Sequence, residues 1–328
     1  MDFEAIFGSA LRSALGPQAA VYALLAIGLN VHYGYTGLLN FGQVGFMLVG
    51  AYGVGISVAT FGLPLWVGVI VGLLAGVVLA IILGAPTLRL RADYFAITTI
   101  AVAEVLRLLF RSGPARPITG GPFGLQSVAN EFYAINPFTR GIRMGPINYT
   151  TQVSWSLVVT WGLVALATLL VALLMRSPWG RVLRAIREDE DAARALGKNV
   201  FSYKMQSLVL GGVLGSVGGV MFAIAGSTVN ADSFRPQITF YAYAILILGG
   251  AATRIGPIVG AIIFWFLFSG VQVSVRQMQG SDLLPGFLSG ANAVGASALV
   301  LMGAALVLLV VFRPQGIFGD PRELKLDA

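Results

Sequence analysis

The chain has 328 residues, of which 57% are hydrophobic and 11% charged. Soluble domains carry about 25% charged residues, so this composition excludes a water-soluble globular domain and points to an all-α, polytopic integral membrane protein. The absence of cysteine excludes disulfides and thiolate metal sites. The single histidine, His32, cannot build a zinc site alone. The net charge of +7 reads as basic residues flanking membrane spans, because no basic patch with interleaved aromatics marks a nucleic-acid surface.

The acidic N-terminus MDFEAIF lacks a basic leader, so no cleavable signal peptide is expected. A spanning helix needs about 20 apolar residues. Apolar runs cover about 19–33, 41–61, 65–85, 94–110, 153–175, 205–225, 240–250, 258–275 and 294–312. The first and seventh are short, and eight to ten spans are expected in one transmembrane domain over 1–328. Between the fifth and sixth runs lie Arg176, Arg181, Arg184, Arg187, Arg194, Lys198 and Lys204, and after the last run lie Arg313, Arg322 and Lys325. Positive charge accumulates on the cytoplasmic side. The loop at about 176–204 and the tail at about 313–328 are therefore expected inside, and the Gly- and Pro-rich segment at about 112–151 outside. The side of Met1 stays open, because YGYTGLLNFG (33–42) reads either as a loop or as a helix break within the membrane.

In that stretch Gly37 and Gly42 allow close backbone approach. Asn40 and Gln43 suit either a solute bearing ammonium and carboxylate groups or an interhelical hydrogen bond that fixes packing. Glu104 and Arg107, three apart, share one helix face; an ion pair or a substrate contact fits. In ARPITGGPFGL (115–125), Thr119, Gly120 and Gly121 either turn the chain or shape an outer mouth. LGGAATRIGP (248–257) is a second glycine-interrupted stretch, which reads either as part of a pathway or, with Arg254, as a cytoplasmic anchor. REDEDAARALG (187–197) is a polar island. From Arg181 to Leu196 no proline or glycine intervenes, which predicts one short exposed helix stopped by Gly197. Its acids, Glu188 to Asp191, read as a charged solvent face. Ala192 and Ala193 offer a small face for a docking partner; the alternative is a solvated loop that only sets orientation. No G-x-x-x-x-G-K-[ST] loop is present, and no catalytic triad or metal-ligand set stands out, so the chain reads as a transport subunit with no catalytic residues.

Asp191-Ala192-Ala193-x-x-x-Gly197 resembles the EAA-x-x-x-G coupling motif of bacterial ABC importer permeases, with Asp for Glu and without the usual isoleucine-x-leucine-proline ending. That departure, and the stretches GLNVHYGYTGLLNFGQVGFMLVGAY, LRLRADYFAITTIAVAEVLRLL, TGGPFGL and ILILGGAATRIGPIVGA, resemble the branched-chain amino acid permeases, the M-type rather than the H-type subunits. The resemblance covers roughly 19–320. It implies a multi-pass bacterial inner-membrane subunit paired with an H-type permease, two ATPase subunits and an external solute-binding protein. It implies no cofactor in this chain, with ATP and Mg²⁺ on the ATPase. Leucine, isoleucine and valine as substrates rest on it alone. A urea or short-amide permease, or a self-sufficient channel or secondary transporter, remains the alternative.

Overall fold

Asp2 accepts the Ala5 amide at 3.0 Å and starts α1 (Phe3–Leu15). Gly16 turns the chain, and Pro17 opens α2 (Pro17–Leu29), where its missing N–H is no loss. The computed structural model describes residues 2–144, 147–279, 293–312 and 315–319. α2 continues as a π-helical segment, Asn30–Tyr35, and is bent by 45° from α1. The helical stretch thus begins well before the apolar run at about 19–33, and it is bent between α1 and α2. After residues 36–42 come α3 (Gln43–Gly55, prolonged by a π-helical Ile56–Thr60), α4 (Leu65–Thr87) and α5 (Ala92–Arg111). Short elements follow: α6 (Arg116–Thr119), β1 (Leu125–Gln126), α7 (Asn130–Ala134), β2 (Arg143–Met144) and β3 (Ile147–Asn148). The second half holds α8 (Thr151–Arg176), α9 (Pro178–Glu188), α10 (Glu190–Ala195), α11 (Val200–Gly226), β4 (Thr228–Val229), α12 (Gln237–Gly249), α13 (Gly256–Gln279) and α14 (Ala293–Phe312).

Among the described residues, five helices are long and apolar enough to cross a membrane, or six if the bent pair is one span. α5 carries Asp93, Glu104 and Arg107 along its length, and α12, at 13 residues, is short for a crossing. α3 and α11 form the interior, with 78% and 67% of their apolar windows buried, whereas α8 and α13 are peripheral at 22% and 28%.

Glycine explains which helices go inside. Lipid is as apolar as leucine, so helices associate through close packing and hydrogen bonds, and small residues permit the approach. A Cβ at Gly219 of α11 would lie 1.9 Å from the Met47 carbonyl oxygen of α3. One at Gly53 of α3 would lie 2.4 Å from the Gly72 Cα of α4. Ser216 Oγ, 3.0 Å from the Phe46 carbonyl, adds a polar link across the same seam.

The bundle has two distinct ends. At one lie α9–α10 and the α12–α13 turn; there Ile317 N donates to Leu248 O (3.0 Å) and Phe318 N to Gly249 O (3.1 Å). The 315–319 segment therefore shares an end with α9–α10, while Arg313, Arg322 and Lys325 lie outside the described residues. At the other end, β1 pairs with β4 (Leu125↔Val229), and Asp2 N donates to Gln277 Oε1 at 2.9 Å. α1 therefore starts at the end opposite α9–α10.

Gly219→Val should abolish accumulation of folded protein, because the obstacle is backbone. Gly162→Ala on peripheral α8, where a Cβ meets nothing within 4 Å, should leave it unchanged. Membrane abundance and monodispersity in detergent read both outcomes.

Candidate functional site

Three regions carry the residues singled out from the sequence. The first is the polar island. It is two helices, not one: Asp189 leaves helical geometry (φ −153°, ψ 108°) and separates α9 from α10. Its side chain accepts the amides of Asp191 and Ala192, both at 2.9 Å, so the aspartate that breaks one helix caps the next. α10 ends in a paired-bond cap, with Gly197 N donating to Arg194 O (3.0 Å) and Lys198 N to Ala193 O (3.2 Å). Gly197 stands at φ +77°, the left-handed conformation glycine adopts freely.

The two alanines have different roles. Ala193 is 3% exposed and packs with Ile186 of α9 and Val200 of α11, so it seats α10 on its own chain and is no docking surface. Ala192 is exposed, and so is Leu196, at 79%. The acids also differ from a uniform solvent face. Glu190 is half-buried and pairs with Arg194 (2.9 Å) and Lys204, while Asp191 pairs with Arg194 at 2.8 Å.

The second region is the break at 36–42. α2 descends past His32, the chain doubles back, and α3 restarts at Gln43, level with Gly28. Asn40, Gln43 and His32 are fully buried. Asn40 Nδ2 donates to Gln43 Oε1 and faces His32 Nδ1, both at 3.1 Å, while Asn40 Oδ1 accepts the Gly42 amide at 2.9 Å. Gln43 Nε2 donates to Gly211 O (3.0 Å), and His32 Nε2 lies 3.1 Å from Leu208 O. With Nδ1 accepting from Asn40, Nε2 is the protonated nitrogen and donates to Leu208. Every one of these amide groups is spent inside the chain, so Asn40 and Gln43 face no open space. Gly42 lies against α5, where a Cβ would sit 2.3 Å from Thr99 O, and Gly37 (φ +76°) lies against Arg187 of α9.

Near the opposite end, Arg107 grips Glu104 at 2.6 and 2.9 Å and Asp232 at 2.9 Å, and Arg111 reaches Asp232 at 3.2 Å. The cluster ties α5 to the α11–α12 connection. Thr119, Gly120 and Gly121 build a turn: the Thr119 hydroxyl lies 2.7 Å from Phe110 O and accepts the Gly121 amide at 3.2 Å. Gly120 and Gly121 have φ +74° and +58°. Sequence reasoning missed Asp232 and His32. The signal was present: Asp232 is the only acid between Asp191 and Asp282, and a polar residue at membrane depth needs a partner.

Among the described residues no group of three or more His, Asp or Glu is placed to hold a metal ion. A multi-pass helical bundle with a capped, outward helix pair at one end is the architecture of a polytopic membrane protein. The family described as "Branched-chain amino acid transport system / permease component" matches residues 14–310, and the chain belongs to that family. It is 29% identical over 324 residues to the high-affinity branched-chain amino acid transport system permease protein LivM of Salmonella typhimurium, covering 95% of this chain and 71% of that one. It is 26% identical to a probable branched-chain amino acid transport permease protein LivM of Methanocaldococcus jannaschii, covering 92% and 91%. Among solved structures, a putative metal-chelate type ABC transporter in an inward-facing conformation matches with a TM-score of 0.47 and 18% identity, covering 94% of this chain and 88% of that one.

Asn40→Leu should remove a shared donor and leave buried His32 Nδ1 and Gln43 Oε1 unpaired, at about 1–3 kcal/mol for each stranded group. The expected result is a lowered melting temperature of the detergent-solubilised protein. A stability equal to wild type would mean that the network does not hold the break.

Proposed function

We propose that this chain is the M-type transmembrane subunit of an ATP-driven importer for branched-chain amino acids. One observation supports this most: α10 is rigidly seated through Ala193 yet presents Leu196, 79% exposed, at its tip. An exposed leucine on a capped, internally packed helix suits a groove on a soluble partner. In this reading Asp191, Ala192 and Gly197 shape the docking element, which meets one of two ATPase subunits supplying ATP hydrolysis and Mg²⁺. α9–α10 and the C-terminal tail face the cytoplasm. The 112–151 segment faces outward, towards a solute-binding protein, in the bacterial inner membrane. A self-sufficient channel has no use for such an element.

The solute path lies, in this reading, between this chain and an H-type permease. The outward faces of α4 and α8 bear aliphatic side chains such as Leu74, Val78, Ile82, Leu166 and Leu170. Those faces suit lipid. The corresponding face of α5 includes Thr98 and Glu104 among Ile97 and Val105, and Glu104 is 35% exposed at the side chain. A carboxylate already oriented by Arg107 retains acceptor capacity for a solute ammonium group. Asn40, Gln43, Gly37 and Gly42 serve the path indirectly, by holding the break, and Thr119, Gly120 and Gly121 shape the outer turn.

The deciding experiment is uptake of labelled leucine by the reconstituted assembly, with isoleucine, valine and urea as competitors. Isoleucine and valine should compete and urea should not; competition by urea alone would overturn the substrate assignment. Leu196→Asp should leave permease abundance unchanged but strip the ATPase during copurification. Retention of the ATPase at wild-type yield would remove the docking role. Glu104→Gln should lower leucine uptake at limiting substrate about tenfold, the loss of one charge-assisted contact. Its ATPase should remain bound.

A further inference from the structure

Arg187, in the last turn of α9, donates from Nη1 to the Gly34 carbonyl at 2.6 Å, across 153 residues of sequence. Gly34 belongs to the π-helical end of α2. The last carbonyls of a helix lack intrahelical partners, and a guanidinium there complements the helix dipole. On its other flank Gly34 is pressed against a second clamp. A Cβ at Gly34 would lie 2.0 Å from Asn30 Oδ1 and 2.6 Å from Ala252 N. Those two atoms are themselves bonded: Ala252 N donates to Asn30 Oδ1, and Asn30 Nδ2 donates to Thr253 O, both at 2.8 Å. The Gly34 peptide therefore sits between α9 and the α12–α13 turn, with no space for slack.

Several polar tethers of the helix pair run locally, among them the Trp179 Nε1 bond to Gln206 Oε1 on α11 at 2.8 Å. Arg184 bonds Met175 O at the end of α8 (3.1 Å), and Glu190 bonds Lys204 near the start of α11. Both join α9–α10 to helices they adjoin in the chain. The Arg187 bond reaches α2, and through it the break at 36–42 and the His32–Asn40–Gln43 network. Gly37, at φ +76°, adds a second point of contact, its Cβ position lying 3.4 Å from Arg187 Cγ.

We propose that Arg187 is a positioning residue that transmits movement of α9–α10 to the end of α2 and, through Asn30, to the α12–α13 turn. The inference rests on the importer reading above, in which α9–α10 is moved by an ATPase. Arginine suits the task because its planar fork holds direction as well as distance, whereas a lysine ammonium swings on a flexible stem.

The test uses the complete assembly in proteoliposomes, with ATP hydrolysis and labelled leucine uptake measured on the same vesicles. Arg187→Gln should retain the ATPase at wild-type stoichiometry and hydrolyse ATP, while leucine taken up per ATP falls about tenfold, a coupling loss within the usual range. Asn30→Leu, buried and remote from the docking tip, should give the same uncoupling. Arg187→Lys should recover part of the ratio; it also carries the comparison should Arg187→Gln not accumulate. An unchanged ratio in Arg187→Gln overturns the proposal, as does loss of the ATPase from that variant, which would make Arg187 part of the docking surface. Failure of the wild-type assembly to couple ATP to leucine uptake is a separate result, and it removes the importer reading itself.

Discussion

A backbone that leaves helical geometry inside a membrane bundle must find hydrogen bonds within the protein, because lipid supplies none. Residues 36–42 meet that constraint partly with backbone carbonyls, the Gly37, Leu38 and Asn40 amides donating to Tyr33, His32 and Leu38, and otherwise with side chains. Asn40 takes the Gly42 amide, Thr99 Oγ1 takes the Phe41 amide at 3.1 Å, and Thr239 Oγ1 takes the Val44 amide at 3.0 Å. Much of the surrounding packing follows from placing these polar groups at the centre. A Cβ at Gly28 would lie 2.8 Å from Gln43 Nε2, one at Gly215 2.7 Å from the same atom, and one at Gly211 2.3 Å from His32 Nε2. The glycines of α2 and α11 therefore do more than bring two backbones together. They make room for the amides and imidazole that satisfy the break.

This explains what the sequence disclosed and what it concealed. Apolar run lengths revealed α4, α8, α11 and α13, whose composition is uniform enough to outweigh local detail. They left out α1, because it is amphipathic, with a partly exposed face bearing Phe3 and Phe7, and its packing on α13 does not register as a continuous apolar stretch. α5 was legible because its ionisable residues are few and spaced on one face. The partner of Arg107 on another element was not, since Asp232 lies 125 residues away and only the tertiary fold brings it near. Gly197 was readable as a stop because the left-handed cap is a local demand. The split at Asp189 was not, because a residue that caps a helix also tolerates a place within one, and the propensities of the flanking alanines and arginines favour continuity.

The division into α9 and α10 changes how the polar island relates to the rest of the molecule. A single exposed helix would hang from α8 by one end. Two short helices meeting at Asp189 form a corner, closed on the inside by Ile186, Ala193 and Val200 and braced outside by the Glu190–Lys204 pair. Such a corner is stiff for its size: α10 has six residues, too few to persist as a helix in water without tertiary support. Its shape is therefore set by contact with α9 and α11, and any displacement of its tip is shared with them. Ala193 owes its small size to this inner packing, and Leu196 owes its exposure to the cap that Gly197 completes. The motif thus combines two separate requirements, one facing the chain itself and one facing outward, within the span of a single turn and its cap.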